Sequence, residues 1–295
     1  FNIYKNLPTS ITIDKLLKSR NYISIDNISN TIKFRTGQYN VHSDIFIPPG
    51  YKVQIFPGTK ILFDNSSILL SYSPIYLMGT LEKPIELTSI KDNWPGIILL
   101  NTKVISRFEH AHISNMKFID RPGWVSFAGI TFYESPVNII NSVFSNSKYE
   151  DMIGFINSNF NIHNSIFENA KLDAIDADYS SGEISTSTFR NVGNDAIDIS
   201  SSDVFLDDIT IISSYDKGVS VGENSILNMK NSSIDNSSIG VVSKDGSHVM
   251  MSDVNISNSK IVGIASYNKK REYGNSSIKG NNITFINNNN KYYLE

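Results

Sequence analysis

The chain has 295 residues, 40% of them hydrophobic and 19% charged, which is enough to bury a substantial core. Its net charge of -3 excludes a global basic field that would attract nucleic acid or an anionic membrane, and the absence of cysteine excludes disulfides, thiol catalysis and thiolate metal sites. No apolar run is long enough to cross a bilayer, so we expect no membrane insertion by this chain.

The first 40 residues are less regular than the rest. Residues 11–20, with the sequence ITIDKLLKSR, favour a short helix. From about Val41 onward, short β-rich runs alternate with Asn, Ser, Gly and Asp. We therefore predict an N-terminal cap over residues 1–40, placed over the first coil of a solenoid that occupies residues 41–295.

An internal repeat of roughly 22 residues supports the solenoid. One strand starts at residues 173, 195, 217, 239 and 262, at spacings of 22, 22, 22 and 23 residues. A second strand keeps the same pitch over residues 162–167, 184–189, 206–211, 229–234 and 251–256. The leucine-rich consensus is absent, so the period predicts an all-β, right-handed parallel β-helix of about ten coils.

A column of turn residues follows the second strand. Its members are Asn146, Asn169, Asn191, Ser213, Asn236 and Asn258. Stacked polar side chains that bond from coil to coil are expected at such a turn.

The opening coils resemble a known superfamily. The runs IPPGYKVQIFPGTKILF (47–63), GTLEKPIELTS (79–89) and WPGIIL (94–99) are similar to those of bacterial secreted β-helix proteins of the pectate-lyase-like superfamily. That superfamily includes polysaccharide lyases, hydrolases, uronate epimerases, phage depolymerases and non-catalytic surface proteins, so the resemblance specifies architecture rather than activity. It implies a polysaccharide partner and a secreted, periplasmic or cell-surface protein, with any signal or anchor outside this sequence.

Alternation along the first strand predicts which side chains face outward. The inward column is Ile175, Ile197, Val219, Val241 and Ile264. The preceding residues are all small, namely Ala174, Ala196, Gly218, Gly240 and Gly263. We expect these small residues to point outward and to form a shallow trough that could hold a chain molecule.

Two carboxylates, Asp176 and Asp198, are expected to stack beside this trough, one strand spacing apart. Like charges directly opposite each other are destabilising, so a cation, a shared proton or a nearby lysine should compensate. The sequence therefore predicts a Ca²⁺ site at Asp176 and Asp198.

The ionisable residues in register with this pair form a larger patch. The catalytic candidates are Asp173, Asp176, Asp195, Asp198, Lys217 and Lys244. The substrate-binding candidates are Asp178, Asp216, Glu223, Asp245, Tyr267 and Lys270, the last of which lies in an insertion over residues 268–274.

Three functions fit this patch. A lyase or C5-epimerase on a uronate polymer would hold Ca²⁺ against the substrate carboxylate and use Lys217 or Lys244 as base, provided the pKa of that lysine is lowered. A glycoside hydrolase would use paired Asp residues. A glycan-binding or scaffold protein of the cell surface would use the same acidic face without turnover, and the oligomeric state stays open in every case.

Overall fold

The computed structural model describes residues 12–18, 20–121, 124–126, 128–148 and 151–295. Residues 1–11 of the predicted cap lie outside these ranges. The predicted helix is present as α1 (Ile13–Leu17). Thr12 caps it, since its Oγ1 accepts a hydrogen bond from the Lys15 N–H at 3.4 Å, and Leu16 is buried.

The chain forms two compact units, Phe1–Gly154 and Phe155–Glu295, and the division falls within β18 (Asp151–Ile156). The strands described in the first unit are short. They are β1 (Ile23–Asp26), β2 (Thr31–Phe34), β3 (Gln38–Val41), β4 (Ile45–Ile47), β5 (Lys52–Ile55), β6 (Lys60–Phe63), β7 (Leu69–Ser71), β8 (Ile75–Met78), β9 (Ile85–Ser89), β10 (Ile97–Leu100), β11 (Ser106–Glu109), β12 (Ala111–Ser114), β13 (Asp120–Arg121), β14 (Trp124–Val125), β15 (Ala128–Tyr133), β16 (Val137–Ile140) and β17 (Val143–Ser145).

Most strands of the first unit stack in parallel, and each coil contributes three of them. One stack runs β2, β5, β8, β11, β16 and another β3, β6, β9, β12, β17. The third runs β4, β7, β10, β15, while β1 pairs with β2 in antiparallel orientation. Every coil therefore turns three corners.

The second unit carries the 22-residue repeat. Its strands are β19 (Asn159–His163), β20 (Ile166–Glu168), β21 (Ile175–Asp178), β22 (Ser181–Val192), β23 (Ile197–Ser200), β24 (Asp203–Ser214), β25 (Lys217–Gly222), β26 (Ile226–Asp235), β27 (Ile239–Lys244), β28 (His248–Ser257), β29 (Val262–Tyr267), β30 (Ser277–Ile286) and β31 (Tyr292–Leu294). A 3₁₀ helix, Arg271–Tyr273, lies in the insertion.

The predicted strand registers are confirmed. Parallel pairing joins β21, β23, β25, β27, β29 and β31 into one sheet, which we call the first face. The second predicted strand series pairs in register along β22, β24, β26, β28 and β30. The predicted inward column, from Ile175 to Ile264, is buried, and stacked rings such as Phe167 on Phe189 (4.7 Å between centroids) fill the core.

The predicted turn column has a left-handed backbone, because all six residues have φ between 54° and 64°. Asn adopts this conformation more readily than most residues, which explains its recurrence there. The predicted bonding from coil to coil is confirmed where Asn191 Nδ2 donates to Asn169 Oδ1 (3.3 Å) and Asn236 Nδ2 to Ser213 Oγ (2.9 Å). Asn258 also bonds to the preceding coil, but its amide donates to Asp235 Oδ1 (2.6 Å), the residue before Asn236, rather than to the column itself.

A buried serine ladder, which the sequence analysis missed, runs through another corner of the second unit. The backbone N–H of Ser158 donates to Ser180 Oγ, that of Ser180 to Ser202 Oγ, and that of Ser202 to Ser225 Oγ, at 2.9–3.1 Å. Each hydroxyl thus satisfies a backbone donor of the preceding coil. The spacing of these serines, 22, 22 and 23 residues, was the available signal.

Candidate functional site

The predicted carboxylate pair lies on the outer side of the first face. Asp176 on β21 and Asp198 on β23 are direct partners in the parallel register, and both are half-buried. Their neighbours Ile175, Ala177 and Ile197 are buried, as strand alternation requires. The prediction that two acids distant in sequence become neighbours on one surface is confirmed.

The predicted trough is wrong, because the small residues point inward. Ala174 and Ala196 are fully buried, and so are the glycines at the equivalent positions. A Cβ on Gly240 would lie 2.4 Å from the Gly263 carbonyl oxygen and 2.6 Å from Ile256 Cγ2, an inward residue of β28. These positions stand where the chain enters the first face, just before β21 and β23 and at the second residue of β25, β27 and β29, and the regular inward and outward alternation begins only after them. Small residues are needed there because two sheets of one coil meet.

Three carboxylates meet at the start of the first face, and we call them the carboxylate cluster: Asp173, Asp195 and Asp198. One oxygen of each lies within 4.8 Å of the other two. Asp173 and Asp195 are buried, and each accepts a hydrogen bond from the next coil, from the Asp195 N–H (2.8 Å) and the Lys217 N–H (3.0 Å) respectively. Their first role is therefore to satisfy backbone donors between coils.

Two of these carboxyl groups have raised pKa values. Burial raises the pKa of Asp195 to about 7, with the charge of Asp173 adding to the effect and Lys217 opposing it. Burial also raises the pKa of Asp173 to about 6, although the hydrogen bond from the Asp195 N–H opposes the shift. The site can therefore take up or release protons near neutral pH.

Lys217 is held between two carboxylates. Its Nζ lies 3.3 Å from both carboxylate oxygens of Asp195 and also donates to Asp216. Burial opposes the charged form, but the charges of Asp195 and Asp216 prevail and raise the pKa of Lys217. The condition under which Lys217 would serve as a base, a lowered pKa, is therefore not met.

A second group of predicted residues lies at the C-terminal ends of the strands of the first face, whereas the carboxylate cluster lies at their N-terminal ends. Burial raises the pKa of Asp178, and the charges of Asp198 and Glu223 add to the effect. Glu223 forms an ion pair with Lys270, which lowers its pKa against the effect of burial. The N–H groups of Lys269 and Lys270 donate to Asp245 Oδ1 at 2.6 and 2.5 Å, so buried Asp245 anchors the insertion over residues 268–274.

Lys244 and Tyr267 are register partners on β27 and β29. The side chain of Lys244 crosses Gly222, where a Cβ would lie 2.8 Å from Lys244 Cε, so the lysine lies over the preceding coil at the C-terminal end of β25. Its charge contributes to the lowered pKa of Glu223. In the described part of the chain, Lys244 forms no salt bridge, unlike Lys217 and Lys270.

The oxygen donors suit a hard cation such as Ca²⁺. Asp198 Oδ1 is buried and, among the described residues, has no hydrogen-bond partner, and the same holds for Ser220 Oγ on the adjacent strand. The sequence predicted the pairing of Asp198 with Asp176, which the register confirms. It did not predict that Asp198 also joins Asp173 and Asp195 in the carboxylate cluster. Asn194, which donates to Asp173 Oδ1 at 2.7 Å, and Ser220 were both missed, although each occupies a repeat position beside a predicted acid.

No helix in the described residues is long and apolar enough to span a membrane.

The stacked parallel coils define a class, the parallel β-helices. The chain belongs to the family described as the right handed beta helix region, whose model matches residues 128–290, and the predicted handedness is thereby confirmed. Among curated protein sequences, none matches this chain.

The solved structures that resemble this chain are distant in sequence. The Agl-KA catalytic domain is 12% identical with a TM-score of 0.51, and the match covers 89% of this chain but only 62% of that domain. An alginate lyase from Paenibacillus sp. str. FPU-7 is 12% identical with a TM-score of 0.53, covering 84% of this chain and 93% of that one. The Streptococcus pneumoniae surface protein and adhesin PfbA is 12% identical with a TM-score of 0.40, covering 90% and 92%. At these identities the likeness concerns the fold alone.

Proposed function

We propose that this protein acts on a uronate-containing polysaccharide at the outer side of the first face, by lyase or C5-epimerase chemistry. The observation that carries the proposal is the carboxylate cluster, in which Asp198 presents an oxygen without a hydrogen-bond partner among the described residues. The alginate lyase with the same fold is named for an acidic polysaccharide, which supports this substrate class. Because such polymers lie outside cells, we also propose a secreted or surface location.

Calcium is part of this proposal. Asp198 and Asp176 would hold the ion from the outer side, and Asp173 and Asp195 would add negative charge beneath it. A bound Ca²⁺ would neutralise the substrate carboxylate and so make the C5 proton more acidic. Lys217 already neutralises part of Asp195, so we assign the coordinating role to the outward pair.

Both reactions need a base that removes the C5 proton. We assign this role to Lys244 because it lies on the first face and, unlike Lys217 and Lys270, forms no salt bridge in the described part of the chain. Lys217 is better suited to neutralise the carboxylates of Asp195 and Asp216, since its raised pKa keeps it protonated.

A second candidate, a glycan-binding protein without turnover, is favoured by a different observation. Asp173 and Asp195 each accept a backbone hydrogen bond from the next coil, which is a structural role that needs no substrate. In that case the outer carboxylates would retain calcium or glycan while no bond is broken.

One experiment separates the candidates. The protein is incubated with a panel of polyuronates and calcium, and unsaturated-product absorbance and C5 hydrogen exchange are followed. We expect turnover of one polymer in the wild type and a loss of roughly 100-fold or more in Asp198→Asn. Asp203→Asn, which removes an exposed carboxylate outside the cluster, should retain full activity.

Melting temperature with and without calcium is recorded in the same samples. A calcium-dependent rise that Asp198→Asn abolishes, without turnover of any polymer, would select the binding protein. New reducing ends without unsaturated product would instead indicate a hydrolase that uses paired Asp residues. If no polymer reacts and neither calcium nor Asp198→Asn changes melting, both candidates are wrong.

A further inference from the structure

The outer side of the first face changes character along the second unit. In the parallel register, Asp198 is followed by Ser220, Val242, Ala265 and Tyr293, one residue from each successive strand. Carboxylates thus occupy one end of this row, and apolar and aromatic residues occupy the other. Val242, Val262 and Ala265 form an apolar cluster on which Ile239 and Tyr267 pack.

A concave pocket opens at the aromatic end. It has a volume of about 440 Å³, and Tyr267, Tyr292 and Tyr293 contribute to its walls. Tyr293 is 53% exposed and stands in the outward row, which leaves its ring available to a ligand, whereas Tyr292 is the register partner of inward Ile264 and its ring meets Phe285. The rings of Tyr267 and Tyr293 meet edge to face, with 6.4 Å between centroids and 66° between planes.

The pocket is uncharged, in contrast to the acidic end of the face. Its described lining is aliphatic or aromatic apart from Asn290, whose amide is engaged with the Ile261 carbonyl at 3.1 Å. Tyrosine combines an apolar ring with a hydroxyl tip, so it can contact the C–H face of a pyranose while bonding to the hydroxyls at its rim. A carboxylate or a cation would find no partner there, which favours a neutral ring face as the occupant.

We propose that this pocket is a sugar-binding subsite, in which Tyr267 and Tyr293 hold one pyranose ring of the polysaccharide whose uronate lies at the carboxylate cluster. The proposal rests on the proposed function and adds a direction and a minimum length to the substrate. Four strand steps separate Asp198 from Tyr293, which at about 4.8 Å each makes roughly 19 Å. The bound chain would run along the stack of coils, and shorter oligomers would reach only one of the two positions.

A length series of uronate oligomers tests this subsite. Binding to the wild type, Tyr293→Ala and Phe205→Ala is measured by titration calorimetry in the presence of calcium. Phe205 is the matched control, a partly exposed aromatic residue on β24, outside the first face, with Lys230 over its ring. We expect affinity to rise once oligomers span roughly 19 Å, and Tyr293→Ala to lower this affinity roughly three- to tenfold while short oligomers bind unchanged.

Several outcomes decide the proposal. A wild-type affinity that does not rise with length, or a Tyr293→Ala protein that binds long oligomers like the wild type, would overturn the subsite even if turnover is observed. Equal losses in Phe205→Ala would also overturn it. Tyrosine NMR shifts on adding neutral glucan oligomers, lost in Tyr293→Ala, would support the subsite even if uronates fail to bind. A change in sedimentation caused by Tyr293→Ala without any change in sugar binding would identify a contact between protein copies instead.

Discussion

At the scale of single residues, one carboxylate can serve both the fold and the site. Asp195 accepts the backbone N–H of Lys217, which joins two coils, and its burial places its pKa near neutrality. The two properties have one cause, because the group that bonds to a buried backbone donor must itself leave water. Protonation of the cluster is therefore linked to stability.

This linkage predicts a pH dependence. The folded-state pKa values of Asp195 (about 7) and Asp173 (about 6) lie above the ordinary value of 3.8, so the folded state binds protons more tightly than the unfolded chain. Their contribution is fully present below pH 3.8 and is lost as pH rises through about 6 to 7. We expect the free energy of unfolding of the wild type, relative to Asp195→Asn, to fall across this range in urea titrations. Asp203→Asn should follow the wild type, and identical profiles for the wild type and Asp195→Asn would contradict the prediction.

At the scale of the strand, the corner before the first face tolerates only the smallest side chains. The position before the first inward residue of β25, β27 and β29 is a glycine, where a Cβ would contact the neighbouring coil and an inward side chain of the second strand series. This tight corner sets the positions of the outward residues, which lie one and three places after the first inward residue of each strand.

Gly240→Ala should therefore destabilise the protein by about 1–3 kcal/mol, because its Cβ would lie 2.4 Å from a backbone oxygen that cannot move freely. Gly222→Ala is the matched control, since its Cβ would meet only the flexible side chain of Lys244. Chemical denaturation of both variants measures the difference. Equal stability of the two variants would show that the corner can accommodate a Cβ and would contradict the prediction.

At the scale of the whole molecule, stability is a sum over coils, each of which contacts its neighbours. In the second unit, β23 is paired on both sides, whereas β31 pairs with β29 alone in the described structure and its three residues are exposed. A coil that is paired on one side has fewer contacts to lose when it opens.

Native-state hydrogen exchange should reflect this difference. We expect amides of β31 and of residues 277–286 to exchange well before those of β23 and β25, because β30 and β31 are each paired on one side in the described structure and their local opening breaks fewer contacts. Mass-spectrometric exchange on the intact chain resolves these segments. Uniform protection across the repeat would indicate instead that the second unit opens as one cooperative block.

The sequence by itself determined the architecture, because a solenoid repeats its local rules at a fixed period. The spacing of 22 residues identified the register, alternation identified Ile175 and Asp176 as inward and outward, and the recurring Asn residues marked turns, whose left-handed backbone the structure then showed. Only the tertiary structure decided the corner itself, where Ala174 turns inward because strand alternation stops at the end of the strand. It also decided the chemistry of the site. Burial and charge depend on distances between coils, so the raised pKa of Lys217, the grouping of Asp198 with Asp173 and Asp195, and the aromatic pocket at Tyr293 emerge only once the coils are stacked.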